Sequence, residues 1–150
     1  PPQAFYIKNA HPIIIMVWGG IGPLGYRTKL LKVQGNLNAK GYCDMLINNG
    51  IIQNLSAVFG VNYVFQQDNA PPHNAKYTKE HLLPLIPHTV EWSPKSPDLS
   101  PIEQVWDYIK NKIAGTSFPD ADSLFNRIEF EWTSIPNEVL HNFYSSFKAR

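Results

Sequence analysis

A chain of 150 residues with 43% hydrophobic and 17% charged side chains holds enough apolar material for the core of one domain, which excludes a disordered chain. Its net charge of +1 excludes the strongly basic balance that announces many nucleic-acid binders, and its single cysteine, Cys43, excludes an internal disulfide. The longest apolar run, "PIIIMVW", is far too short to span a membrane, and no signal peptide is visible.

The charge is unevenly spread. Residues 1–67 hold Lys8, Arg27, Lys29, Lys32 and Lys40 against one acid, Asp44; residues 68–150 hold more acids than bases. The first part therefore offers either a modest basic face or an ordinary solvated surface. Cys43 has no Cys or His at metal-site spacing and is read as a packed thiol, in keeping with an intracellular protein.

In chain order, "PIIIMVWGG" (12–20) is a short β-rich run closed by two glycines and reads as a buried strand. "GPLGY" (22–26) is a turn, and "RTKLLKVQG" (27–35) the returning strand of a hairpin. From Asn38 the apolar period becomes helical through Phe59, with a break at "NNG" (48–50). "VNYVFQQ" (61–67) reads as a third strand, 75–86 as a helix ended near Pro84, and "HTVEW" (88–92) as a short strand. A Pro/Ser loop (93–101) leads into the clearest helix, 100–113. Its Ile102, Val105, Trp106, Ile109 and Ile113 form one apolar stripe, with Ser100 suited to the N-cap and Pro101 to the first turn. Helices at 120–133 and 136–148 follow. Strands, then a strand–helix alternation, then helices predict an α/β domain with a mixed sheet flanked by helices.

Two acids stand out. Asp68 ends a predicted strand, and functional groups in open α/β sheets gather at the carboxyl ends of strands. Glu103 sits in the first turn of the strongest helix. The interval 69–102 holds a helix, a short strand and a loop, enough chain to return Glu103 to the sheet edge that carries Asp68. Converging carboxylates make a hard oxygen site suited to Mg²⁺ or Mn²⁺. Each residue has a plainer reading beside this one. "SPIE" (100–103) is also a capping box, "DNAPP" an Asx-type turn, and His73 a polar loop residue. Trp92 and Lys95 suit nucleic-acid stacking and phosphate pairing, but also core burial and solvent.

Together, "QQDNAPPH" and "EWSPKSPDLSPIEQVWD" resemble the catalytic half of the mariner superfamily of cut-and-paste DNA transposases, and "IMVWGGIGPLG" resembles that family's hairpin; the likeness runs from about residue 11 to 113. The resemblance implies a ribonuclease H-like fold and an Asp, Asp, Glu set holding two divalent ions, Mg²⁺ or Mn²⁺. By position, Asp68 is the second acid and Glu103 the third. Asn69, His73, Ser96, Pro97, Asp98 and Pro101 match the surrounding signature without an assigned chemical step. The family's first acid precedes the "VWG" hairpin. Here the sole acid of residues 1–67 is Asp44, in a predicted helix after it. The first strand with its Asp, and the family's amino-terminal DNA-binding region, are therefore expected to be missing, leaving 1–150 as one N-terminally truncated catalytic domain, inactive alone. The parent protein is expected to cleave transposon-end DNA and join it to target DNA, as a nuclear homodimer without membrane contact. The rival expectation is a decayed or host-adopted fragment that only binds DNA or a protein. Another ribonuclease H-like nuclease or integrase fits "SPDLSPIE" less well.

Overall fold

The computed structural model describes residues 3–7, 12–33, 38–60, 63–68, 76–85, 88–92 and 100–148. The elements are β1 (Gln3–Ile7), β2 (Ile13–Trp18), β3 (Leu31–Val33), α1 (Ala39–Asn48), α2 (Ile51–Phe59), β4 (Val64–Asp68), α3 (Lys76–His81), β5 (His88–Trp92), α4 (Pro101–Ile113), α5 (Ala121–Ser134) and α6 (Asn137–Lys148). They divide into two compact units, residues 2–33 with 98–150, and residues 34–97.

In the first unit β1, β2 and β3 form an antiparallel sheet in that order. Phe5 stands opposite Ile15, and Val17 opposite Lys32. The pleat sends alternate residues to opposite faces, so Phe5, Ile15 and Val17 all enter the core while Tyr6 and its partner Ile14 stay exposed. No element was expected before residue 12, so β1 is an addition to the sequence reading. Its pairing with β2 makes it a strand, and none of its five residues is an acid.

The expected turn is there, as a 3₁₀ turn over Pro23–Gly25. Arg27 holds it down by donating to the Trp132 carbonyl at 2.6 Å and to Asn137 Oδ1 at 2.9 Å. Burial lowers the Arg27 pKa from its ordinary value. The returning strand starts later than predicted. Thr28 exchanges hydrogen bonds with Gly20, its amide donating to the Gly20 carbonyl and its hydroxyl accepting from the Gly20 amide, and regular pairing begins at Leu31.

Helix α4 follows its sequence pattern. Val105, Trp106, Ile109 and Ile113 are buried, and Lys110 and Lys112 sit in the last turn, where the helix dipole favours cations. Helices α5 and α6 add Leu124, Ile128, Trp132, Ile135 and Leu140 to the same core. Truncating such a fully buried aliphatic residue to alanine costs about 2–5 kcal/mol, through lost transfer energy and the cavity left behind.

In the second unit Asn38 caps α1 by accepting from the Gly41 amide at 2.7 Å. The predicted break is a left-handed Gly50, at φ 73°, from which α2 starts. Tyr42, Cys43, Leu46, Ile51, Ile52 and Leu55 are buried, as are Tyr63 and Leu82, and Cys43 is a packed thiol in no disulfide, as expected. Strand β4 runs parallel to β5 with Val64 opposite His88 and Asp68 opposite Trp92, and α3 is the crossover between them. That helix ends at His81, and Leu83–Leu85 forms a 3₁₀ turn around Pro84, which cannot donate to a continuing helix. Pairing is antiparallel in the β1–β3 sheet of the first unit and parallel in the separate β4–β5 sheet of the second.

Candidate active site

Asp68 is the last residue of β4, at the carboxyl end of the parallel pair. Two prolines follow at 71 and 72, residues without the amide that a sheet ladder needs, so the chemistry of the sequence itself ends the strand here. The Asp68 side chain, and Asn69, His73, Lys95, Ser96, Pro97 and Asp98 altogether, lie outside what the structure describes. So does the side chain of Trp92.

Glu103 is the third residue of α4 and is partly buried. Ser100 caps the helix: its Oγ accepts from the Glu103 amide at 3.4 Å. Among the described residues the Glu103 carboxylate itself makes no hydrogen bond or ion pair. The reciprocal half of a capping box, carboxylate to Ser100 amide, is therefore not formed. The hydroxyl performs the cap, and among the described residues nothing engages the carboxylate.

What orients α4 is aromatic. Trp106, one turn beyond Glu103, stacks on Trp132 of α5 with centroids 5.3 Å apart and planes inclined by 20°. Phe5 of β1 meets the Trp106 ring edge-on at 6.2 Å and 87°. The Trp132 Nε1–H donates to the buried Thr28 carbonyl at 3.0 Å. Sequence reasoning assigned Trp106 to the apolar stripe but missed Trp132 as its partner.

Asp68 and Glu103 belong to different units, and each is described by itself. Among the described residues no three His, Cys, Asp or Glu side chains group as a metal site requires. Asp44 lies on α1 and pairs with Lys40 at 2.8 Å, one helical turn away, as an ordinary surface pair. Two of the early cations are therefore neutralised locally, Lys40 by Asp44 and Lys32 by Asp122.

No family model matches the chain. In solved structures it aligns with the catalytic domain of the Mos1 mariner transposase at a TM-score of 0.75 and 20% identity, over 99% of this chain and 76% of that one. It aligns with the Mos1 paired-end complex at 0.73 and 22%, over 93% of this chain and 41% of that one. The fold is therefore ribonuclease H-like, of the transposase catalytic-domain kind. In sequence it is 29% identical to the Tc1 transposase of Caenorhabditis elegans over 141 residues and 30% identical to the Tcb1 transposase of Caenorhabditis briggsae over 141 residues, in each case covering 91% of this chain and 49% of the relative. The chain is a relative of the mariner-superfamily transposases, and it spans about half the length of the curated relatives it matches.

Proposed function

We propose that Asp68 and Glu103 are two of the three carboxylates of a metal-dependent DNA transposase site, and that residues 1–150 form one catalytic domain of such an enzyme. The observation that carries this reading is the place of Glu103 in the first turn of α4, where the Ser100 hydroxyl caps its amide and, among the described residues, nothing engages its carboxylate. Asp68, at the carboxyl end of β4, holds the position where α/β sheets gather their chemistry. Both are hard oxygen donors, the set that suits Mg²⁺ or Mn²⁺ over softer metals. Mos1 structures carrying Mg, Mn and transposon-end DNA support the same metals and the same nucleic acid for this chain.

Bound there, a pair of divalent ions supplies an activated oxygen nucleophile and stabilises the departing oxygen of an in-line phosphoryl transfer. The chain's own part is to hold two carboxylates at fixed places. Asp68 does so from a strand end and Glu103 from the first turn of a capped helix. The remaining carboxylate is not offered by residues 1–67, whose sole acid, Asp44, pairs with Lys40 on α1. On this reading the full protein cuts transposon-end DNA and joins it to target DNA. It works in the nucleus as a homodimer, since excision requires two ends to be cut together.

Glu103→Gln in the full-length parent tests the assignment. Glutamine leaves the Ser100 cap untouched, because the backbone amide of residue 103 is the donor. It removes the charge a hard cation needs, and loses at most a few tenths of a kcal/mol of dipole interaction. DNA cleavage is expected to fall by about a hundredfold or more while the melting temperature moves little. Cleavage at the wild-type rate in Mg²⁺ would return Glu103 to a purely structural place in the helix.

A further inference from the structure

Gly19, the first glycine of "VWGG", lies under the ring of Trp132. A β-carbon at Gly19 would stand 2.7 Å from Trp132 Cη2, 2.9 Å from Cζ2 and 3.2 Å from Cζ3. Gly19 has no positive φ, so backbone freedom is not what calls for glycine there. The requirement is room: the ring occupies the volume a side chain would fill. Trp132 is fixed within its plane by the Nε1 hydrogen bond to Thr28, and its face carries Trp106, which Phe5 closes from the edge. Trp106 follows Glu103 by three residues on α4, close to the same side of the helix. The orientation of α4 about its own axis, and with it the direction in which the first turn presents Glu103, is set by where the Trp132 ring can seat.

We infer that Gly19 and Trp132 are positioning residues for the Glu103 carboxylate: the bare strand end at Gly19 admits the indole that clamps Trp106 and so aims the first turn of α4. This rests on the metal-binding reading of Glu103. A ligand carboxylate has to be held to within about 0.5 Å, and interior packing transmits a displaced ring to its neighbours rather than absorbing it. A methyl at Gly19 forces such a displacement.

The test is titration of the 150-residue chain with Mn²⁺, followed by the electron paramagnetic resonance signal of the free ion, beside thermal melting of each variant. Gly19→Ala is expected to weaken Mn²⁺ binding by about tenfold, the scale on which residues that orient a ligand act. Ile113→Val, at the far end of α4, lowers stability without touching the aromatic stack and is expected to leave Mn²⁺ binding unchanged. The double variant Gly19→Ala with Trp132→Phe is expected to bind no more weakly than Trp132→Phe alone, because phenylalanine lacks the indole atoms the new methyl meets. Should Gly19→Ala not fold, the double variant and Trp132→Phe remain, and weaker binding by Trp132→Phe supports the same aim. Mn²⁺ binding at wild-type strength in folded Gly19→Ala, or in Trp132→Phe, overturns the inference while Glu103→Gln still abolishes binding. If Glu103→Gln also binds as wild type, the metal reading fails and the positioning role falls with it.

Discussion

Leu24 is the one non-glycine residue with positive φ among the described residues, at 58°, and it is 81% exposed. A leucine in the left-handed region crowds its β-carbon against the backbone, and here nothing apolar covers the side chain in return. The turn is held from outside instead, by the Leu24 amide donating to His141 Nδ1 at 3.1 Å and by the Arg27 bonds to α5 and α6. Leu24→Asn is therefore expected to stabilise the protein by about 1 kcal/mol, since asparagine tolerates this conformation. At the next residue the opposite holds. Gly25 has φ 82°, and a β-carbon there would lie 2.5 Å from Asn137 Cβ, so Gly25→Ala is expected to destabilise by more than about 1 kcal/mol. Chemical denaturation midpoints of the two variants, shifting in opposite directions, check both. "GPLG" is legible as a turn because Gly and Pro are scarce elsewhere in such runs. Which of its residues goes left-handed is not legible, because that depends on Asn137 and His141 far along the chain. Gly19 is obscure for the same reason: its neighbour is a ring supplied by α5.

The helices were the readable elements, since their signals are local. Ser100 and Pro101 mark the start of α4, and Asp120 the start of α5, where its carboxylate accepts from the Ser123 amide at 2.8 Å. The bonds from the Ser123 amide, and then from its hydroxyl, hold the Asp120 carboxyl below the ordinary carboxylate range. A carboxylate depressed in the folded state adds stability above its unfolded pKa and gives it up as acid protonates the cap. The wild type is thus expected to lose stability as the pH falls from about 5 toward 3. Asp120→Asn, which still accepts but does not titrate, is expected to flatten that acid limb and leave neutral-pH stability close to wild type, as melting across the pH series would show. Strand β1 was illegible at this scale. "QAFYI" is short, and its strand character comes from the ladder with β2 rather than from its own period. The late start of β3 has an equally specific reason, the Thr28–Gly20 exchange.

For the molecule as a whole, the acids are its limiting inventory. Two carboxylates leave a pair of divalent ions short of ligands, so the purified 150-residue chain is expected not to nick transposon-end DNA in Mg²⁺. Mg²⁺-dependent nicking lost in Asp68→Asn would mean that another side chain of this chain completes the site. The likeness to transposases was legible because "QQDNAPPH" and "SPDLSPIE" are specific strings in a fixed order; which carboxylates meet is a matter of tertiary placement that no string records. The stacked pair Trp106 and Trp132 has a use of its own. Two indoles 5.3 Å apart are coupled oscillators, and their shared excitation splits into paired bands of opposite sign in the circular dichroism spectrum. The indole bands lie at longer wavelength than the exciton-split peptide bands of the helices, so the chain carries an optical reporter, without any added dye, of whether α4 is seated against α5.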